Sequence, residues 1–148
     1  MSSSLAPEIF DTLHDMLHIF RAHMRQSLES SDSGLTFGEL RVLIYVGQHP
    51  DCKQKTLVQY SRTDKAQMAR TIARLNDRGW LVQTQSAHDR RVRQLHLSAQ
   101  GQELFKEFSK QRALLATRLL KDCPQPMQSQ LLELLVLARE SARAADTS

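Results

Sequence analysis

Five polar side chains within ten residues, Lys65, Gln67, Arg70, Thr71 and Arg74, are the groups in this chain best suited to molecular recognition. Lysine, arginine and glutamine carry the donors that bond base edges and phosphate oxygens, and threonine can serve either. A second set follows at Asp89, Arg90, Arg91 and Arg93. From residue 53 to residue 93 there are ten lysines and arginines against three acids, a net of +7; the whole chain carries +4, so the remainder carries −3. Positive charge gathered in one segment is the footprint of a polyanionic partner. The acidic remainder argues against binding of the whole protein to a membrane surface.

These groups need elements to hold them. In DKAQMARTIARLNDRGW, residues 64–80, apolar residues recur at Met68, Ile72 and Leu75, the i, i+4, i+7 stripe of an amphipathic helix. Asp64 stands where an N-cap belongs, Gln67 lies at the capping-box spacing, and Gly79 can end the helix in the left-handed conformation. Such a helix docks its stripe on a core and leaves a basic, amide-bearing face for a major groove. Beyond it, Trp80, Leu81 and Val82, then Leu95 and Leu97, read as two short strands around QSAHDRRVRQ, whose tip carries Arg90, Arg91 and Arg93. A two-stranded hairpin alone is marginal in water, so this one must lean on the helix before it. The pattern predicts a mainly α fold with a small β-hairpin wing: a winged helix-turn-helix.

The run DKAQMARTIARLNDRGWL, the pattern Asp89-x-Arg91-x-x-x-Leu95-x-Leu97-Ser98, and Gly101 together resemble the MarR family of bacterial transcriptional regulators. The resemblance reaches from the leading helix to the two closing ones, and the wing pattern is its most specific part. It implies one MarR-type domain over 1–148, with a DNA-binding lobe at 36–98 and helical dimerisation regions at 1–35 and 99–148. It implies that Arg91 enters a minor groove and that Asp89 orients it. It also implies a homodimer with interlocked terminal helices, acting as a repressor on a pseudo-palindromic operator and released by an effector or oxidant. Arg62 stands where many of that family carry glycine, a departure that bears on the geometry of its turn.

The rest of the 148 residues fits this frame. Apolar content of 41% suffices for a core, and 5% aromatics point to a leucine-rich helical interior. No apolar run approaches the ~18 residues that span a bilayer. The opening MSSSLAPEIF lacks the basic and apolar regions of a secretory signal, and Cys52 and Cys123 suggest no disulfide framework, so the expected location is the cytoplasm. A first helix from Glu8 to about Ser30 carries Ile9, Leu13, Leu17, Phe20, Met24 and Leu28 along one stripe. A second opens at Thr36, with Glu39 completing a capping box and Leu40, Leu43 and Ile44 inward, and stops at His49-Pro50-Asp51. A short positioning helix follows over 54–61, with Lys53, Lys55 and Thr56 near its start as candidate phosphate contacts.

Ser98 should cap a long helix to about Asp122, and after CPQP a last helix should run from about Met127 to Arg143. Its LLELLVLA segment is apolar on more than one narrow stripe, so Leu131, Leu134, Leu135 and Val136 need a second partner beyond their own subunit. The resemblance makes that partner a second copy.

No GxSxG, HExxH, CxxC or Gly-rich phosphate loop is present, so an enzyme is not expected, and neither is a cofactor or a bound metal. His14 and His18, at i, i+4, lack a convincing third ligand. Of the two thiols, Cys52 lies in the better local field for redox sensing, beside Lys53 and Lys55. The resemblance puts a small-molecule effector site between the DNA-binding lobe and the helical base. Leu13, Leu17, Phe20, Leu40, Leu43 and Phe105 are placed equally well to line it or to be plain core. The alternative to double-stranded DNA as partner is a winged-helix module that binds protein.

Overall fold

The structure is a computed structural model and describes residues 4–147. Its elements run α1 (Ala6–Glu29), α2 (Phe37–Gln48), β1 (Cys52–Lys53), α3 (Gln54–Ser61), α4 (Lys65–Asp77), β2 (Leu81–Gln85), β3 (Arg93–Leu97), α5 (Ala99–Leu119) and α6 (Gln125–Asp146). They fall into two compact units, one reaching to Arg112 and the other beginning at Ala113.

In the first unit, α2 forms where the capping box predicts it. Thr36 Oγ1 accepts from the Glu39 N–H at 3.1 Å, and Glu39 Oε1 accepts from the Thr36 N–H at 2.9 Å. Leu40, Val42, Leu43, Tyr45 and Val46 are buried, a wider core face than Leu40, Leu43 and Ile44 alone. Around it close Leu57 of α3, Met68, Ile72 and Leu75 of α4, Leu81 and Leu95 of the sheet, and Phe108 of α5. Close packing fixes one glycine here: a Cβ on Gly47 would lie 2.5 Å from the Phe105 ring.

The wing departs from the expected hairpin in two ways. Its strands reach Gln85 and start at Arg93, so Arg93 sits on a strand opposite Gln85 and not at the tip. There is also a third strand: β1 pairs antiparallel with β3, Cys52 opposite Leu95, giving the order β1-β3-β2. The added strand provides the support that a lone hairpin lacks. Asp51 makes it possible by turning the chain at φ 65°. Arg62, after α3, likewise takes the left-handed conformation at φ 54°, the geometry glycine adopts freely and an arginine adopts at a cost of about 1 kcal/mol.

Ser98 caps α5 as expected, accepting from the Gly101 N–H at 3.0 Å, and its own hydroxyl donates to the Gly79 carbonyl. This ties the start of α5 to the end of α4. Gly101 lies against the Trp80 carbonyl, where an added Cβ would collide with backbone. Gly101→Ala should therefore cost about 2 kcal/mol, an overpacking penalty that backbone cannot relax cheaply. Calorimetry should register it as a fall in Tm of roughly 5 °C.

The first helix forms where the sequence places it, with its apolar stripe only partly covered. Met24 and Leu28 are buried, but Ile9 and Leu17 are about half exposed, at 52% and 51%, and Leu13 and Phe20 are only partly covered. The apolar stripe exists; one chain covers only its C-terminal end. On α6 no residue is buried at all.

Candidate nucleic-acid interface

The geometry of α4 starts at its cap. Asp64 accepts from the Gln67 N–H at 2.8 Å, satisfying one of the orphan donors of the first turn. Lys65 is the first helical residue, where the helix dipole disfavours a cation. Its place there does nothing for the helix and suits an anionic ligand. Arg70 is exposed. Gln67 and Thr71, beside Met68, border a small cavity of about 130 Å³ shared with α2 and α3. The Thr71 hydroxyl donates to the Gln67 carbonyl at 3.1 Å and accepts from Arg74 Nη2 at 3.3 Å.

At the wing tip the Asp89 carboxylate accepts from the Arg91 backbone N–H at 3.0 Å, and the Asp89 carbonyl accepts from the Val92 N–H, also at 3.0 Å. Asp89 thus holds the turn at the backbone of Arg91; that it orients the arginine is what the resemblance implies. Arg90 is exposed beside it, and Arg93 Nη1 donates to Gln83 Oε1 at 3.2 Å across the strands.

Lys53, Lys55, Lys65, Arg91 and Arg93 line one groove of about 670 Å³, together with Gln54, Val58 and Val92. Five cations and no acid border it. They come from β1, the first turn of α3, the first residue of α4 and the wing, so the sequence segments read separately converge on one concave, basic surface.

Glu39 is what the sequence reading missed. It is 3% exposed, and its Oε2 makes no hydrogen bond among the described residues. That oxygen lies 3.8 Å from Arg74 Nε and 3.7 Å from Arg78 Nη1. The signal was available: Glu39 shares a helical face with Val42, Leu43 and Val46, where a charge needs a partner.

Beneath α1 and α2 lies a second cavity of about 230 Å³. Of the six residues left open between lining and core, Leu17, Phe20 and Leu40 line it and Leu13, Leu43 and Phe105 do not, and Arg21, Arg41 and Arg112 add three cations. Leu131, Leu134 and Val136 of α6 are exposed at 41%, 56% and 38%, and Leu135 is partly covered. No cluster of three metal-ligating side chains occurs among the described residues, His14 and His18 included.

Cys52 reverses its expectation. It is buried on β1, and burial pushes its thiol up, partly offset by a backbone hydrogen bond, with Asp51 raising it further. The nearby lysines do not overcome desolvation. Cys123 is less buried. A thiol reagent at neutral pH should label Cys123 first, with Cys52 slower by on the order of tenfold, since reactivity follows access and thiolate fraction. Mass spectrometry of a timed alkylation checks the order.

A helix-turn-helix of α3 and α4, followed by a β-wing and flanked by long helices, defines a winged-helix protein. Residues 33–92 match the sequence model of the MarR family. The HTH-type transcriptional regulator BilQ of Clostridium symbiosum is 29% identical over 79 residues, covering 53% of this chain and 55% of that protein. BilQ of Clostridioides difficile is 32% identical over 71 residues, 48% of each chain. The match thus spans about half the length of these curated relatives.

The fold extends further than the sequence match. Streptococcus pneumoniae FabT, solved in complex with DNA, superimposes with a TM-score of 0.78 at 14% identity, over 95% of this chain and 99% of that one. A MarR family regulator from Listeria monocytogenes complexed with a 26mer DNA gives 0.77 at 16% identity, over 95% and 89%.

Proposed function

We propose that this protein is a transcriptional regulator that binds double-stranded DNA as a homodimer, acts in the cytoplasm as a repressor, and is not an enzyme. The groove bordered by Lys53, Lys55, Lys65, Arg91 and Arg93 carries this reading, because five cations converge there without an acid. A duplex presents paired rows of phosphates to such a surface, and releases counterions when they are neutralised. Lys65, Arg90 and Arg93 hold the backbone; Gln67, Arg70 and Thr71 face base edges from α4; Arg91, steadied by Asp89, reaches a minor groove. The solved complexes of FabT and the Listeria regulator with DNA support this assignment by their likeness in fold.

The unburied apolar residues of α1 and α6 favour a second copy as the remaining partner. A two-fold dimer then asks for a pseudo-palindromic site with half-site centres about one helical turn apart. The cavity under α1 and α2 pairs an apolar lining with three arginines, and suits a small effector whose binding releases the operator. No helix among the described residues is long and apolar enough to cross a membrane.

Selection of bound duplexes from a random pool tests the reading. A recovered inverted repeat, bound with an affinity that falls steeply with salt, is the expected result. Failure to retain any duplex at low salt would overturn it in favour of a protein-binding winged helix.

A further inference from the structure

We infer that Glu39 is a positioning residue for DNA recognition, setting α4 through Arg74 and Arg78 and, through Arg74, the side chain of Thr71. This deepens the proposed function and rests on it. The observations form one connected path. Glu39 Oε2 is buried and faces two guanidiniums, Arg74 Nε at 3.8 Å and Arg78 Nη1 at 3.7 Å. Arg78 also donates to the Ser33 carbonyl at 3.0 Å, which joins the end of α4 to the loop before α2. Arg74 Nη2 donates to the Thr71 hydroxyl, which in turn donates to the Gln67 carbonyl.

Two consequences follow from the chemistry. A buried carboxylate that loses its cations is costly, so the pair of arginines is held in place by the need to neutralise Glu39. Arg74 in the last turn of α4 and Arg78 at its C-cap lie four residues apart, so a single fixed anion restrains both the roll and the axial position of the helix. Arg74, one of the recognition residues read from the sequence, has its Nε engaged with Glu39 and its Nη2 with Thr71, and it serves the geometry of the reading face. Thr71, its hydroxyl committed twice, meets a base chiefly through its methyl group, the contact that suits thymine.

Glu39→Gln is the informative substitution, because its Oε1 still accepts from the Thr36 N–H and the capping box survives. Affinity for the selected duplex relative to a scrambled one should fall by roughly tenfold, while scrambled-duplex binding does not fall. Arg74→Gln should leave the slope of log affinity against log salt unchanged, whereas a phosphate contact would make it shallower by about 0.9. An undiminished discrimination ratio, or a shallower slope for Arg74→Gln, overturns the inference.

A readout without DNA separates this outcome from failure of the DNA reading. In thermal unfolding of the full chain, Glu39→Gln and Arg74→Gln combined should be less damaging than the product of the two singles, by about fivefold or more in the unfolding constant. Strict additivity would dismiss the ion pair whatever the protein binds. If wild-type protein retains no duplex while the coupling is present, the DNA reading falls and Glu39 remains only a structural anchor for α4, which also overturns the positioning role.

Discussion

Arg91→Ala should lower affinity for the selected operator by about 2 kcal/mol, roughly 30-fold, and leave Tm within about 1 °C of wild type. Arg91 is exposed, at the turn between β2 and β3, so truncation opens no cavity. Its backbone N–H donates to Asp89 whether or not the side chain is present, so the turn should keep its shape. What is lost is one of the five cations of the basic groove, and the one carried furthest out on the wing. A narrow A·T-rich minor groove concentrates negative potential, and a planar guanidinium with a weak hydration shell enters it more readily than an ammonium. Arg91→Lys should accordingly recover only part of the loss. Fluorescence anisotropy on the selected duplex measures both. Full affinity in the alanine variant would take the wing out of the mechanism.

The features that were legible in the sequence are those set by near neighbours. Thr36 and Glu39, three residues apart, announce the start of α2, and Met68, Ile72 and Leu75 announce the buried side of α4. The strands were read only at their apolar ends, because Gln83, Thr84 and Gln85 on an edge strand are all polar and show no apolar alternation. Two residues cannot display a period at all, which hid β1; it exists because Asp51 turns the chain toward Leu95, far along the sequence.

The same limit applies to charge. Glu39 was seen as a cap, a local role, and its pairing with Arg74 and Arg78 depends on how α2 and α4 cross. Cys52 was judged by the lysines that flank it, and its surroundings proved to be those of a sheet packed on a core. The basic groove lay between these cases. Its cations were all visible as residue types, but only folding brings Lys53 and Lys55 alongside Arg91.

Leu134→Glu should abolish dimers and, with them, operator binding, although every proposed DNA contact is intact. Leu134 is 56% exposed on α6, and no residue of that helix is buried. In an isolated chain, a carboxylate at such a position stays in water and costs little. If a second copy covers α6, symmetry buries the substitution twice, and each unpaired carboxylate costs roughly several kcal/mol. The dimer dissociation constant should then rise by at least about a thousandfold. Leu131 and Val136, also exposed, give the same test at neighbouring positions. The exposed stripe of α1, with Ile9 and Leu17, adds apolar surface that a partner must also cover. A wild-type dimer built this way couples folding to association, so its Tm should climb with protein concentration, and that dependence should vanish in the variant. Sedimentation at low micromolar concentration measures the mass directly. A variant that still sediments as a dimer would show that α6 faces solvent in the assembly. A wild-type protein that sediments as a folded 16.9 kDa monomer would remove the two-fold symmetry and the palindromic operator together.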